Sequence, residues 1–488
     1  MLTANTLPRT VGFLTGLVML ISFTHCAAKN DGRPAPAPTP QATSPATTVQ
    51  NVSPPASDPP SILLLTVDAL RSDHLSFYGY HKETAPFLAS LAAESTVFRR
   101  AYSTSSWTVP ALASMLTGVY PPVHGANHGV VQKDAVFQQE VLPSALSSIA
   151  EHLKKSGYST FAALANVHLD EKHGFARGFD RFVNVGFRPA DELNAGLRAF
   201  ADEIKASEGP VFLWVHYFDP HQPCLPREPW LSRFQPDLND SERRVLAGLR
   251  NRQEIWSMIA NSGPRGLEVG LALYDSEIAY CDHHVARLFD HIPSLDRFLI
   301  IFSADHGEEY FDHGDIGHGF NLHEETVGVP LFVRAPGGGP GRTSDRMVSL
   351  LDLPPTLAAI AGIEKEPHWQ GAPAFDALGE PVPADERDLL AEVDRFRGYS
   401  HAASIGERWK LIWNRSLDTH HLYDLSTDPS EHVDLADTRA ELAASLLSGL
   451  QTRLGGMQHV PAGSAEVDPE HAEALRQLGY ITDEDGEN

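Results

Sequence analysis

The chain has 488 residues, 42% hydrophobic and 21% charged, enough for one large core with a smaller companion or for two ordinary domains. Its 38 Lys and Arg stand against 63 Asp and Glu, a formal net charge of −25, and it lacks the basic stripe that meets a nucleic-acid backbone. An anionic ligand stays open, because cations held at one site reverse the field locally.

In chain order, Arg9 precedes the apolar run VGFLTGLVMLISF at 11–23, too short to span a bilayer and suited to the core of an export signal. Residues 1–26 read as that signal. It ends at Cys26, either the acylated first residue of a lipoprotein, which would tether the protein to a membrane, or an incidental Cys behind an ordinary signal peptide. Residues 27–60 are rich in Pro, Ala, Ser and Thr, cannot bury a core, and read as an extended linker. The expected location is the periplasm or cell envelope, with the outer membrane as the seat of a lipidated form. Cys224 and Cys281 either pair in an oxidising compartment or stay apart; their spacing does not decide.

SILLLTVD at 61–68 is a continuous apolar run ending in a carboxylate, as a buried parallel strand does. VFLWVHYFDPH at 211–221 and FLIIFSADHGEE at 298–309 repeat the pattern, and VPLFVRAP at 329–336 is a further buried strand. The pattern between them predicts helices over 85–94, 109–117, 143–156, 191–206 and 267–291. Strands alternating with helices imply a doubly wound α/β sheet, assigned to 61–370, with ligands outside the carboxyl ends of its strands. Residues 223–264 carry little pattern and are the expected seat of specificity. RWKLIWN, HLYDLSTDPSEHVDLA and a helix over 441–454 predict a smaller C-terminal α+β domain, 385–488.

Three strands end near Asp68, Asp219 and Asp305, with His221 and His306 just behind and His318 and His323 in a later loop. Carboxylates with imidazoles suit Zn2+ or Mn2+ better than Ca2+, which prefers oxygen alone. One strand-end Asp could be only a helix cap. The set together reads as a metal centre, because a buried carboxylate is costly without a partner. Thr108, in TSSWTVPALASMLTG, opens a helix whose amides and dipole favour an anion. Either it caps that helix, or a nearby metal lowers the pKa of its hydroxyl and makes it a nucleophile. His124 and Trp107 read as structural, Asp275, Glu277 and Asp282 as solvated or capping groups, and the adjacent His283 and His284 as a poor metal pair.

LLTVDALRSDHLSFYGY, TVPALASMLTGVYPPVHG, HYFDPHQP, SADHGEE, GHGFNLHEETVGVPLFV and HLYDLSTDPSE, in that order, resemble the sulfatase family of the alkaline phosphatase superfamily, over about residues 61–454. In that family the nucleophile is the Cys or Ser of C/S-x-P-x-R, oxidised to formylglycine. The matching positions here are Thr108 and Leu112, and a threonine cannot become that aldehyde. Ala69 stands where the family has a second Asp, His306 where it has a metal-binding Asn, and Asn166 and His318 where it has Lys; His168 keeps the family's His.

The resemblance implies an alkaline phosphatase-like sheet and a metal held by Asp68, Thr108, Asp305 and His306, with a second ion at Asp219, His221 or His318. It also implies substrate contacts at Asn166 and His318, and His221 or His168 as acid–base partner of Thr108. The expected activity is metal-dependent hydrolysis of a phosphate or sulfate ester, phosphoester favoured, through a covalent Thr108 intermediate. One or two divalent ions are expected, Zn first, with Mn or Ca as alternatives. The substrate is then a small-molecule, glycan or lipid ester. A phosphoethanolamine-type transferase to a glycan or lipid shares the first half-reaction. An inactive surface-binding homologue would show a decayed metal set, whereas Asp68, Asp305 and His306 are all present.

Overall fold

The computed structural model describes residues 59–481, apart from 128, 134–135, 384, 397–398 and 479–480. The export signal, Cys26 and the linker up to residue 58 lie outside the described residues.

An eight-stranded sheet forms the centre. Its strands are β1 (Ser61–Val67), β2 (Thr96–Tyr102), β3 (Ser159–Leu164), β4 (Arg181–Asn184), β5 (Val211–Tyr217), β6 (Phe298–Ala304), β7 (Gly328–Arg334) and β8 (Arg342–Ser349). They lie in the order β8-β2-β7-β6-β1-β5-β3-β4. β1, β5, β6 and β7 are buried at every position, as continuous apolar strands covered on both faces are. β7 runs against both its neighbours, β6 and β2, so the sheet is mixed. Every other strand sends its carboxyl end to one edge, and that edge carries the site.

The helices include α1 (Pro86–Ala92), α2 (Thr108–Thr117), α3 (Ala190–Leu197) and α4 (Gly263–Leu288). The helix expected over 143–156 starts only at Ile149, because Ser148 and Glu151 close a capping box there. The one expected over 191–206 is α3, then a 3-10 turn (Arg198–Phe200), then a short helix (Ala201–Ala206). The unpatterned 223–264 region holds three short helices, Trp230–Phe234, Asp240–Gly248 and Arg252–Asn261. Asp275, Glu277 and Asp282 of α4 are buried rather than solvated. Asp275 meets His74 and Lys82, Glu277 meets Arg227, and Asp282 caps α1 by accepting the amides of Phe87 and Leu88. Cys224 and Cys281 are buried free thiols and do not pair.

β9 (Leu389–Phe396), β10 (Tyr399–Ile405), β11 (Trp409–Asn414) and β12 (Thr419–Asp424) form a small antiparallel sheet. α5 (Ala440–Gly455) packs on it through Ala443 and Leu450, in a cluster that takes in Tyr120 and Leu351. The chain then turns back. Ser464–Glu466 pairs with Val136–Glu140, and α6 (Pro469–Gln477) packs Ala472 and Leu475 with Val167, just beyond the end of β3.

A buried charge cluster joins the small sheet to the loop between β6 and β7. Lys410 Nζ donates to Glu431 Oε1 at 2.6 Å, and His323 Nδ1 lies 3.0 Å from Glu431 Oε2. His313 is stacked on His323, with Nδ1 2.8 Å from Glu325 and Nε2 3.1 Å from the Glu431 carbonyl. Both ring nitrogens face acceptors, which favours the doubly protonated ring. Burial opposes that charge, but the Glu325 hydrogen bond and charge outweigh it and lift the pKa from 6.5 to about 9. A group raised on folding stabilises fully below its unfolded pKa and loses that contribution as pH rises through the folded one. The stability deficit of His313→Gln against wild type is therefore expected to be full at pH 6 and to shrink between about pH 7 and 9. Denaturant titrations across that range check it; a deficit independent of pH would show that His313 is not charged.

Candidate active site

Asp68 follows β1 directly, and its amide donates to the Tyr217 carbonyl at the end of β5. The next residue, Ala69, adopts φ +53, an uncommon conformation for a residue other than glycine. That turn aims the Ala69 amide at Asp305 Oδ1, 3.1 Å away. Asp305 follows β6, and the same oxygen accepts the His306 amide at 2.8 Å. The Gly307 carbonyl engages His306 Nδ1 at 2.8 Å, so Nε2 faces the carboxylates, 3.5 Å from Asp68 Oδ1 and 3.5 Å from Asp305 Oδ2. From within β5, His216 brings Nε2 to 3.5 Å from Asp68 Oδ2, while Thr66 engages its Nδ1 at 3.0 Å. Asp68, His216, Asp305 and His306 are all fully buried.

Burial raises the Asp68 pKa, but His221, His216 and His306 outweigh it and hold the carboxyl below its ordinary range. Burial and the Asp68 charge push Asp305 up to about 6. Burial works against charge on His306, yet Asp305 and Asp68 raise its pKa. Two buried carboxylates thus favour positive charge between them.

Thr108 is the first residue of α2, and its hydroxyl reaches His306 Nε2 at 3.3 Å and Asp68 Oδ1 at 3.5 Å. Trp107, in extended conformation, holds the N-cap position, so Thr108 is not the cap of its helix. α2 is buried at all ten positions and stops at Gly118, φ +69, where a Cβ would lie 2.5 Å from the Trp369 ring.

The remaining expected residues fall into three places. Asn166, after β3, donates Nδ2 to Asp68 Oδ2 at 2.7 Å and accepts the His168 amide at 3.0 Å. The structure thus sets it on a carboxylate. His168 is held at Nδ1 by Gln139, 2.8 Å, stands edge-on to Trp107, and is pushed down to about 3 by burial. His221 and His318 stand beside His306, ring centroids 4.9 Å apart from each other and His318 4.4 Å from His306. His221 Nδ1 faces the Gln222 carbonyl at 2.6 Å, and burial lowers its pKa to about 4.

Asp219 is turned away from this group. Its oxygens take the Ala190 amide at the start of α3, 2.8 Å, and Arg227, 3.0 Å. A strand-end Asp here is a helix and arginine partner, which removes it from the ligand set the sequence proposes. His323 sits at Glu431, and His124 bonds Ser114, 3.1 Å, inside the fold. Two residues escape the sequence reading. His216 is hidden in an apolar strand, and only its polarity amid VFLWV signals it. Glu308, in the DHGE run, holds His318 Nδ1 at 3.0 Å, and burial pushes its carboxyl up to about 7.

A profile of the sulfatase family matches residues 60–363, and one of the C-terminal part of N-sulphoglucosamine sulphohydrolase matches 312–459. The chain belongs to the sulfatase family. Choline-sulfatase of Rhizobium meliloti (strain 1021) is 25% identical over 487 residues, 86% of this chain and 92% of that one. The uncharacterized sulfatase YidJ of Escherichia coli (strain K12) is 24% identical over 445 residues, 80% and 86% of the two chains. The crystal structure of phosphonate monoester hydrolase of Agrobacterium radiobacter superposes with a TM-score of 0.63 at 21% identity, covering 81% of this chain and 96% of that one, a likeness of fold. The protein is a sulfatase-family hydrolase with the mixed sheet and small C-terminal sheet of sulfatase structures.

Sulfatase-family proteins generally use a divalent metal. Ligand atoms of Asp68, His216 and Asp305 lie within 4.8 Å of one another. Asp305 Oδ2 and His216 Nε2 are buried with no hydrogen-bond partner, and a buried lone pair left so is unfavourable by about 1–3 kcal/mol. A cation among these donors would satisfy both, and the mixed oxygen and nitrogen set suits Zn2+ or Mn2+. His216→Ala is expected to weaken Zn2+ or Mn2+ binding at least tenfold in competition with a chelating dye, while Asp219→Asn leaves it unchanged. Equal losses in both variants would place the cation elsewhere.

Proposed function

We propose that this sulfatase-family hydrolase cleaves phosphate or sulfate esters, phosphoesters in preference, with a divalent cation and a covalent intermediate on Thr108. The observation that carries the proposal is the Thr108 hydroxyl, at the first turn of α2, within 3.5 Å of both His306 Nε2 and Asp68 Oδ1. Asp68, Asp305, His306 and His216 would hold the cation, which would lower the pKa of the hydroxyl and offset charge on the ester oxygens. The preference for phosphoesters rests on Thr108, which cannot become the formylglycine of ordinary sulfate-ester cleavage, and on the imidazoles of His216 and His306 beside the carboxylates, a donor set suited to Zn2+ or Mn2+. Asn166, tied to Asp68, and His318, tied to Glu308, stand where the family has Lys.

In this reading the first amides of α2 meet the ester's anionic oxygens. Thr108 Oγ1, its proton released to solvent when the cation lowers the pKa of the hydroxyl, attacks phosphorus or sulfur, and the bond to the leaving oxygen breaks. The leaving oxygen takes a proton from the His318–Glu308 pair, since a carboxyl with a pKa of about 7 keeps a proton available near neutrality. Water then attacks the Thr108 ester, gives one proton to the pair, and releases the Thr108 oxygen in its deprotonated form for the next cycle. His221 lines the approach, and His168 braces the turn that carries Asn166. A second cation at His221 and His318 would have to do without Asp219. Residues 1–60 support export to the cell envelope, with a tether at Cys26, as part of the same proposal.

Thr108→Ala is expected to leave the fold intact and to lower turnover of an aryl phosphate diester by several orders of magnitude at matched metal occupancy. Thr108→Ser should retain part of the activity. Thr108→Cys should not gain ordinary sulfatase activity beside a formylglycine-generating enzyme, because Leu112 replaces the Arg of the recognition motif. Undiminished turnover by Thr108→Ala would falsify the assignment. Glu308→Gln is expected to slow alkyl esters about 10²-fold and 4-nitrophenyl esters far less, because a good leaving group departs without the proton. An equal loss on both substrates would take the acid role from the His318–Glu308 pair.

A further inference from the structure

Beside His221 the catalytic edge opens into a cavity of about 850 Å3, within the range of sites for small organic ligands. Asp68, Thr108 and His306 are not in its wall, so it meets the site through His221. One part of the wall is aromatic: Phe187 and Phe218 have ring centroids 4.9 Å apart, and Phe218 lies 4.6 Å from the His221 ring. With His318 and His306 these rings run in one series from the cavity to the Thr108 hydroxyl. Ala474 of α6 and Leu478 just beyond it add apolar lining.

The charges around the cavity are unevenly paired. Arg227 is neutralised by Asp219 and Glu277, and Glu473 is paired with Arg476. Arg250 has its guanidinium on the Ala247 and Leu249 carbonyls, with no carboxylate in ion-pair range among the described residues. Arg188 has Glu192 only at 3.9 Å, with both side chains more than half exposed, a pair of little strength. Glu470 and Glu473 share the wall with these two arginines, and Glu254 accepts the Arg250 amide at 2.7 Å. Arg188 and Arg250 are thus the cations of this wall that no close carboxylate holds.

We propose that the cavity receives the leaving group of the ester, and that this group carries a ring with an apolar face and a second anionic group, the ring against Phe187 and Phe218 and the anion at Arg188 and Arg250. The inference rests on the ester-cleaving reading above. Both the ring face and the anion could belong to an aryl acid or to a uronic acid sugar, and the shared chemistry is what the site selects. α6 then acts as a wall of the subsite, which links the end of the chain to substrate choice.

The test uses the full metal-loaded chain and products, so that binding is read without turnover. 6-Hydroxy-2-naphthoate is expected to bind at least tenfold more tightly than 2-naphthol or a trimethylammonium-substituted naphthol, by fluorescence titration. Arg250→Ala and Arg188→Ala should each remove most of that preference, while Arg181→Ala, which lies outside the cavity, keeps it. Calorimetry with glucuronate against glucose separates a sugar ring from an aromatic one, and a preference for the acid in either pair supports the subsite. Equal binding throughout, no binding of any probe, a preference for the ammonium, or a preference that survives both arginine variants overturns it. In kinetics, the carboxylated naphthyl phosphate diester should show the same preference in KM rather than kcat. A preserved binding preference without Thr108-dependent turnover would keep the subsite and sink the ester-cleaving reading instead.

Discussion

Asp68 and Asp305 share one imidazole nitrogen, His306 Nε2, at 3.5 Å each, and all three residues are fully buried. Two carboxylates held this way are tolerable only with positive charge among them, since bare ionised groups in such surroundings are strongly disfavoured. Much of the catalytic edge follows from that demand. The Ala69 and His306 amides converge on Asp305, Asn166 donates to Asp68, and His216 and His306 flank the pair. A proton on His306 meets part of the demand, and a divalent cation would meet it more fully. The same charge lies beside Thr108.

The sheet explains how residues 236 positions apart, such as Ala69 and Asp305, come together. β1 is central, with β5 and β6 parallel on either side of it, so three strand ends open at one place. Those strands are legible in sequence, because an unbroken apolar run ending in Asp is what a buried strand beneath a polar site requires. The reversed direction of β7 is not legible, since VPLFV is equally apolar read either way. Asp219 looks like its two counterparts at the level of a strand end, and only the folded chain brings up Arg227 and the α3 amide that claim it. His216 is lost for the opposite reason. It sits inside the apolar strand, and its partners Thr66 and Asp68 come from the neighbouring strand and its end. The acidic positions of α4 mislead in a similar way, because helical spacing shows which residues share a face but not that a lysine, an arginine or another helix start lies opposite.

The loop between β6 and β7 shows why the small sheet belongs to the site. His313 and His323 bracket His318 in sequence, and both bond Glu431, a residue at φ +58 that also receives Lys410. Nearer β6, Glu309 accepts the amides of His313 and Asp315. His318 itself is held by Glu308. The loop is therefore anchored on both sides of its imidazole, once from the large sheet and once from the small one. Motifs near residues 318 and 431 are thus parts of one arrangement, although more than 100 residues of sequence separate His323 from Glu431.

Thr108 is placed by packing rather than by its own hydrogen bonds. Its two polar contacts, 3.3 and 3.5 Å, are too long to hold a side chain firmly. What holds it is α2, buried along its whole length, with Ala111, Ala113 and Ser114 small enough for close approach and Gly118 closing the end beneath Trp369. Such a helix has little freedom to move its first turn, because a close-packed interior resists small displacements. The hydroxyl is thus presented by the core, while its oxygen keeps only weak local partners. That combination is what the proposed reading asks of Thr108, an atom whose strongest interactions would be made with a cation and an incoming ester rather than with its protein neighbours.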